Sequence, residues 1–195
     1  MKLKTENVVL MRMARESLKG KWGLAIGTFL IYILIVYAIQ SQVANFPPLG
    51  LLSLILSGPM ALGIDIFSLS LSRNQDARIE QIFLGFYRFG TSLGAYLLMV
   101  LFILLWMLLL IVPGIIAALS YSMTFYILAD NESIGAREAM DKSKAMMYGY
   151  KWKFFCLGLR FLAWSILCIL TLGIGFLWLI PWMNVTIAKF YDDIK

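Results

Sequence analysis

Four apolar blocks decide what this chain can become: Trp22 to Ile39, Leu49 to Leu71, Thr91 to Ala129 and Phe154 to Ala188. A bilayer core takes about 20 apolar residues per helical crossing, and a helix satisfies its own backbone groups where no water can. Of the 195 residues, 61% are hydrophobic and 14% charged, against roughly 25% charged in soluble domains. The fold class that follows is all-α, a polytopic membrane protein. The first twenty residues are charged throughout and lack the apolar core and small-residue cleavage site of a signal peptide, so the first block reads as a retained anchor.

The third block is too long for one crossing and divides at Pro113-Gly114, which reads either as a turn or as a helix kink. The fourth divides at Thr171 to Gly175. The first two blocks are parted by Asn45, Pro47 and Pro48, which break the helix. Six transmembrane helices in three hairpins result.

The basic residues test that count. Lys2, Lys4, Arg12, Arg15, Lys19 and Lys21 precede the first span, and Arg73, Arg78 and Arg88 lie between the second and third. Arg137, Lys142, Lys144, Lys151 and Lys153 lie between the fourth and fifth, and Lys189 and Lys195 follow the sixth. The three opposite connections carry no charge. Lys and Arg are retained on the cytoplasmic side, so six spans put the N- and C-termini and two large loops inside a cell membrane. A four-span arrangement would put some basic segments outside.

Three charged segments carry a helical apolar stripe. Leu10, Met11, Met13, Ala14 and Leu18 share one arc; Ile79, Ile82, Phe83 and Phe86 fall at i, i+3, i+4 and i+7; Ala136, Met140, Ser143 and Met147 align on a third. On the exposed side of the third, Arg137 with Asp141 and Glu138 with Lys142 form i,i+4 charge pairs. The expectation is an amphipathic cytoplasmic helix before each hairpin. Each segment ends in a glycine beside basic and aromatic residues, at Gly20, Gly85 and Gly149, which reads as a corner launching the next crossing. The single membrane domain, 1-195, thus divides into units 1-72, 73-130 and 131-195. Lys21, Trp22, Arg88, Lys142, Lys144, Lys151, Trp152 and Lys153 are the expected interface anchors, drawn to anionic lipid headgroups by about 1 kcal/mol per charge.

The run VPGIIAALSYSMTFYILADNESIGAREAMDKSKAMMYGYKWKFF, with ARESLKGKW before it and TLGIGFLWLIPWMNVTIAKFYDD after it, resembles a bacterial integral-membrane family, domain of unknown function 975. It is also similar, more broadly, to the membrane domain of some glycerophosphodiester phosphodiesterases. The resemblance implies a six-span bundle of uncharacterised function and brings no catalytic residues with it.

Candidate chemistry is sparse. Histidine is absent, and Cys156 and Cys168 form no metal or redox motif, so no metal site and no cofactor is expected. Asp65 and Arg160 are the two ionisable residues inside the apolar blocks, each roughly 12 to 14 Å of helix rise from the basic boundary. They either form an intramembrane ion pair or are satisfied separately, Arg160 by snorkelling and Asp65 by water or a hydroxyl. Tyr121, Ser122, Thr124 and Asn184 could line a polar path, or satisfy local carbonyls. Asp130 and Glu132 are read as the acidic start of a helix. Gly58-Pro59 and Pro181 interrupt the second and sixth spans as kinks or hinges.

The functional reading is a multi-pass membrane protein, not an enzyme, that binds lipid or a membrane-protein partner at its cytoplasmic face. Its partners are the bilayer, with anionic lipids, and no nucleic acid. The alternative is a small transporter or lipid-translocating protein.

Overall fold

The computed structural model describes residues 5–43 and 49–195. Lys2, Lys4, Asn45, Pro47 and Pro48 lie outside the described residues. In chain order the elements are α1 (Asn7–Ser17), α2 (Trp22–Val43), α3 (Leu49–Ser72), a 3-10 helix (Ile79–Arg88), α4 (Phe89–Leu109), α5 (Ile111–Tyr121), α6 (Thr124–Asp130), α7 (Ala136–Met146), α8 (Lys151–Leu170) and α9 (Phe176–Ile194). No strand occurs among the described residues.

Five helical stretches are long and apolar enough to cross a membrane: Trp22–Ser41, Gly50–Ser72, Ile79–Leu109, Ile111–Asp130 and Lys151–Leu170. The sixth expected stretch is a helix, α9, but Lys189, Asp192 and Asp193 at its end set it apart from the other five. Helix α3 is the hub, packing on α2, α4, α6, α9 and the 3-10 helix. Phe67, Leu71 and Leu62 are fully buried around it. The outward faces of α4 and α8 instead present Leu101, Leu104, Leu108, Leu162, Ile166 and Leu170, a surface suited to hydrocarbon.

Helices α1 and α7 bury the faces their periodicity marks. Leu10, Met11, Ala14 and, just past its end, Leu18 are buried on α1, and Met140, Ser143 and, just past its end, Met147 on α7. Met13, placed on the apolar arc of α1, is exposed, and Ala136 of the third stripe is half-buried while Ala139 beside it is buried. Their apolar faces are covered by protein: α1 packs on α9, and α7 on α4, α5 and α6. The corners after them are glycines with positive φ, +78° at Gly20 and +84° at Gly149, a conformation that costs an L side chain strain.

The third segment departs from expectation. Residues 79–88 wind as a 3-10 helix with three residues per turn. The buried line is therefore Ile82 and Gly85, while Phe83 points outward. Gly85 is no corner: it lets this segment lie backbone to backbone on α3 at Gly63.

The turn between α4 and α5 also moves. It falls at Leu110, which is extended at φ −162° and ψ 146°, so Pro113-Gly114 is neither turn nor kink but the first turn of α5. Proline is at home there because the first helical N–H groups have no intrahelical acceptor. Pro113→Ala is accordingly expected to change stability by less than about 1 kcal/mol. Gly114→Ala is expected to cost more, since a Cβ at Gly114 would stand 2.3 Å from Met107 Cγ. Thermal melts of the two variants in one detergent check the order; a Pro113→Ala loss larger than that of Gly114→Ala would put the turn back at the proline.

Candidate functional site at the charged end of the bundle

Thr5, the ends of α3, α6 and α9 and the start of α8 meet at one end of the bundle. Arg73 leaves the end of α3 and forks between two acids: its Nη1 donates to Asp130 Oδ1 at 2.6 Å, and its Nη2 to Asp192 Oδ1 at 2.7 Å. The other Asp130 oxygen accepts from the Tyr191 hydroxyl at 3.0 Å and from Lys195 Nζ. Lys189 Nζ donates to the Ser72 carbonyl, stitching α9 to the last turn of α3. The carboxylates beside Arg73 raise its pKa further, so the fork stays charged at every accessible pH. Burial lowers that of Lys189.

A second tie joins the N-terminus to the α8–α9 pair. Asp193 accepts from Lys153 Nζ at 2.8 Å and from the Thr5 amide and hydroxyl at 3.1 and 2.7 Å. Burial works to raise the Asp193 carboxyl, but the Lys153 and Thr5 bonds outweigh it and hold the group below the usual range. Asn7 Nδ2 adds a bond of 2.8 Å to the Lys153 carbonyl. Arg88 closes the third side: its guanidinium donates to the carbonyls of Leu128, Asn131 and Ile134 at 2.7, 3.0 and 2.9 Å, satisfying the frayed end of α6.

Asp130 thus sits at the end of a helix, not the start, and is consumed by Arg73. The α5 to α6 break is filled by Ser143 of α7, which donates to the Ser120 carbonyl at 2.8 Å and accepts from the Met123 amide at 3.2 Å. Neither role was legible from local sequence.

The basic residues of the charged segments divide by their use. Lys142 pairs with Glu138 at 2.8 Å, whereas Arg137 and Asp141 form no ion pair. Lys153 is taken by Asp193, and Lys21 Nζ donates to the Gln75 carbonyl at 3.2 Å. Trp22 is half-buried and packs against the core cluster of Leu18, Ala25, Phe29, Phe67 and Leu71, while Trp152 is exposed and stacks on Phe155 at 5.5 Å. Lys144 and Lys151 have no acidic partner among the described residues. They flank a cavity of about 170 Å³ together with Trp106, Ile116, Ser120 and Tyr121.

The structure does not bring Asp65 and Arg160 together. The half-buried Asp65 carboxylate faces the Tyr126 hydroxyl, which lies 3.4 Å from the Asn184 carbonyl. Arg160 opens instead into a groove between α1 and α8. Of the candidate polar path, Ser122, Thr124 and Asn184 each bond a carbonyl of their own turn, at Leu119, Tyr121 and Ile180. Tyr121 is carried off to the Lys144 cavity. The four do not form one continuous line. On the opposite end, Tyr32, Gln40, Ser53, Ser57 and Tyr96 line a cleft of about 220 Å³ between α2, α3 and α4.

Two overlapping matches to one family, described as a protein of unknown function (DUF975), cover residues 1–118 and 107–195. No curated protein and no solved structure matches the chain.

Proposed function

Because the chain belongs to the DUF975 family, whose function is not established, we propose its role from its own geometry: a non-enzymatic membrane component that binds anionic lipid at its cytoplasmic face. Helix α9 serves as the sixth crossing. Helices α8 and α9 are joined by the short turn 171–175, and Lys153 at the start of one meets Asp193 at the end of the other. A hairpin closed at both ends crosses with both arms or with neither. The charged end then faces the cytoplasm, as the basic residues require.

The observation that supports the binding role is that Lys144 and Lys151 have no acidic partner among the described residues. Every other cation of the α7 to α8 junction except Arg137 has an acidic partner; these two border a cavity whose walls are mostly apolar. An interfacial ammonium attracts anionic headgroups by about 1 kcal/mol. Adding phosphatidylglycerol to the detergent-purified chain is therefore expected to raise the melting temperature by about 2–4 °C per kcal/mol gained. Phosphatidylcholine should not, and the gain should fall in the Lys144→Gln, Lys151→Gln double variant. Equal shifts with both lipids would remove the support for this reading. The same face would receive a membrane-protein partner.

Transport remains a second reading because the cleft beside Tyr32 and Tyr96 ends at Met60 and Ala61, about one helical turn from Asp65. Cysteine labelling along one face of residues 113–126 by a water-soluble reagent would favour transport; protection of that face favours the filled core required for binding.

A further inference from the structure

Arg12 and Arg15 of α1 and Arg160 of α8 open onto one groove of about 450 Å³, whose remaining walls are Val8, Met11, Ala163, Trp164 and Trp182. All three arginines are exposed, and none forms an ion pair among the described residues. Glu16 stands four residues from Arg12 on the same helix but makes no bond to it. Three guanidinium groups on one groove repel one another, and Arg160 adds to the cost by sitting nine residues, about 13 Å of rise, beyond Lys151. With no carboxylate paired to them among the described residues, the groove is left open to an anion from outside the chain.

The apolar wall is built rigidly. Trp182 Nε1 donates to the Met11 carbonyl at 2.8 Å, which locks α1 against α9. Its ring takes edge contacts from Phe161 at 5.4 Å and Trp164 at 5.8 Å. Trp164 keeps 46% of its surface exposed at the groove's open side. Cationic forks lining one groove and a fixed aromatic wall beside them match the two halves of a phospholipid. Guanidinium groups bind phosphate through paired N–H donors, and tryptophan is suited to the boundary between headgroup and chain.

From this we infer that the α1–α8 groove is a specific site for one anionic phospholipid, its phosphate held by Arg12, Arg15 and Arg160 and an acyl chain laid over Ala163 and Trp164. The inference rests on the cytoplasmic, lipid-facing orientation proposed above and names residues separate from Lys144 and Lys151.

The test places the full chain in phosphatidylcholine nanodiscs doped with phosphatidylglycerol brominated on its acyl chains, or with equally brominated phosphatidylcholine. Quenching of tryptophan fluorescence is read, with Trp164→Phe giving the groove's share by difference. Brominated phosphatidylglycerol is expected to quench that share preferentially, and Arg12→Gln and Arg160→Gln each to cut the preference about fivefold. Arg160→Lys should keep much of it, and serves where Arg160→Gln does not fold. Arg78→Gln, outside the groove and paired with the exposed Asp76, should leave it in place. Equal quenching by the two lipids overturns the site, as does a preference that survives both arginine changes. Displacement by low concentrations of inorganic phosphate would assign the groove to a soluble anion and likewise overturn it. If the preference is absent while the melting temperature still rises with phosphatidylglycerol, only the groove is wrong; if both fail, so does the lipid-binding reading.

Discussion

Gly63→Ala and Gly85→Ala are each expected to remove most of the folded protein, while Gly23→Ala and Gly27→Ala leave its yield unchanged. A Cβ on Gly63 would stand 1.9 Å from the Ile82 carbonyl oxygen, and one on Gly85 the same 1.9 Å from that of Pro59. Both clashes are with backbone, so no rotamer change relieves them; either α3 or the 3-10 helix must move. Overpacking normally costs about 1–3 kcal/mol when side chains can yield, and here the loss belongs at or above the top of that range. Gly23 and Gly27 meet nothing within 4 Å in the same kind of helix, and alanine there gains up to about 1 kcal/mol of helix propensity. Size-exclusion profiles of fluorescently tagged variants, followed by melting curves, separate the pairs. A Gly63→Ala variant that runs and melts like Gly27→Ala would sink the idea that α3 and residues 79–88 pack through their backbones. Because α3 is also the helix that carries Asp65 and Arg73, this contact sets the position of both.

The helices themselves were legible because apolar length and the α-helical period are local signals. The blocks became α2, α3, α4 and α8 with ends near the expected residues, and the stripes on α1 and α7 pointed at what they bury. The same method misread residues 79–88. Its wheel assumed 3.6 residues per turn, and the decisive residue of the 3-10 line, Gly85, has no side chain to announce burial. Pro113-Gly114, the strongest local breaker, reads as a turn or a kink, yet proline is also well fitted to a helix's first turn, where the structure has it. The polar site was the least legible part. Arg73 and Asp130 are 57 residues apart, and Arg73 and Asp192 are 119 apart, so nothing in either neighbourhood marks them as partners. Asp65 and Arg160 were matched by depth alone, and depth does not say which face of the bundle a side chain leaves from.

Arg73→Ala should therefore be among the most damaging single changes at the charged end, even though the arginine is one of several there. It takes a partner from two carboxylates at once: Asp192, 30% exposed, loses its salt bridge, and Asp130, 11% exposed, is left to Lys195 and the Tyr191 hydroxyl alone. Removing one partner of a buried pair costs about 3–5 kcal/mol; with Arg73 itself 28% exposed, water recovers part of that and about 2–3 kcal/mol is expected. For a chain of this size the melting temperature falls by about 5–10 °C. Arg73→Lys should recover only part, because an ammonium cannot hold two carboxylates with separate arms of a planar fork. Adding Asp130→Asn to Arg73→Ala should win back a further share, since the more buried of the two carboxylates no longer has to rely on the exposed Lys195 for its charge. Arg78→Ala is the control: its bond to Asp76 is as short, 2.6 Å, but the two side chains are 70% and 73% exposed. If Arg73→Ala and Arg78→Ala melt together, the fork is surface decoration and the ends of α3, α6 and α9 are held by packing alone. If they part as expected, the proteins folded around this arginine keep their charged face in register through it, and any ligand that engages Asp130 or Asp192 will be read as a change in stability of the whole bundle.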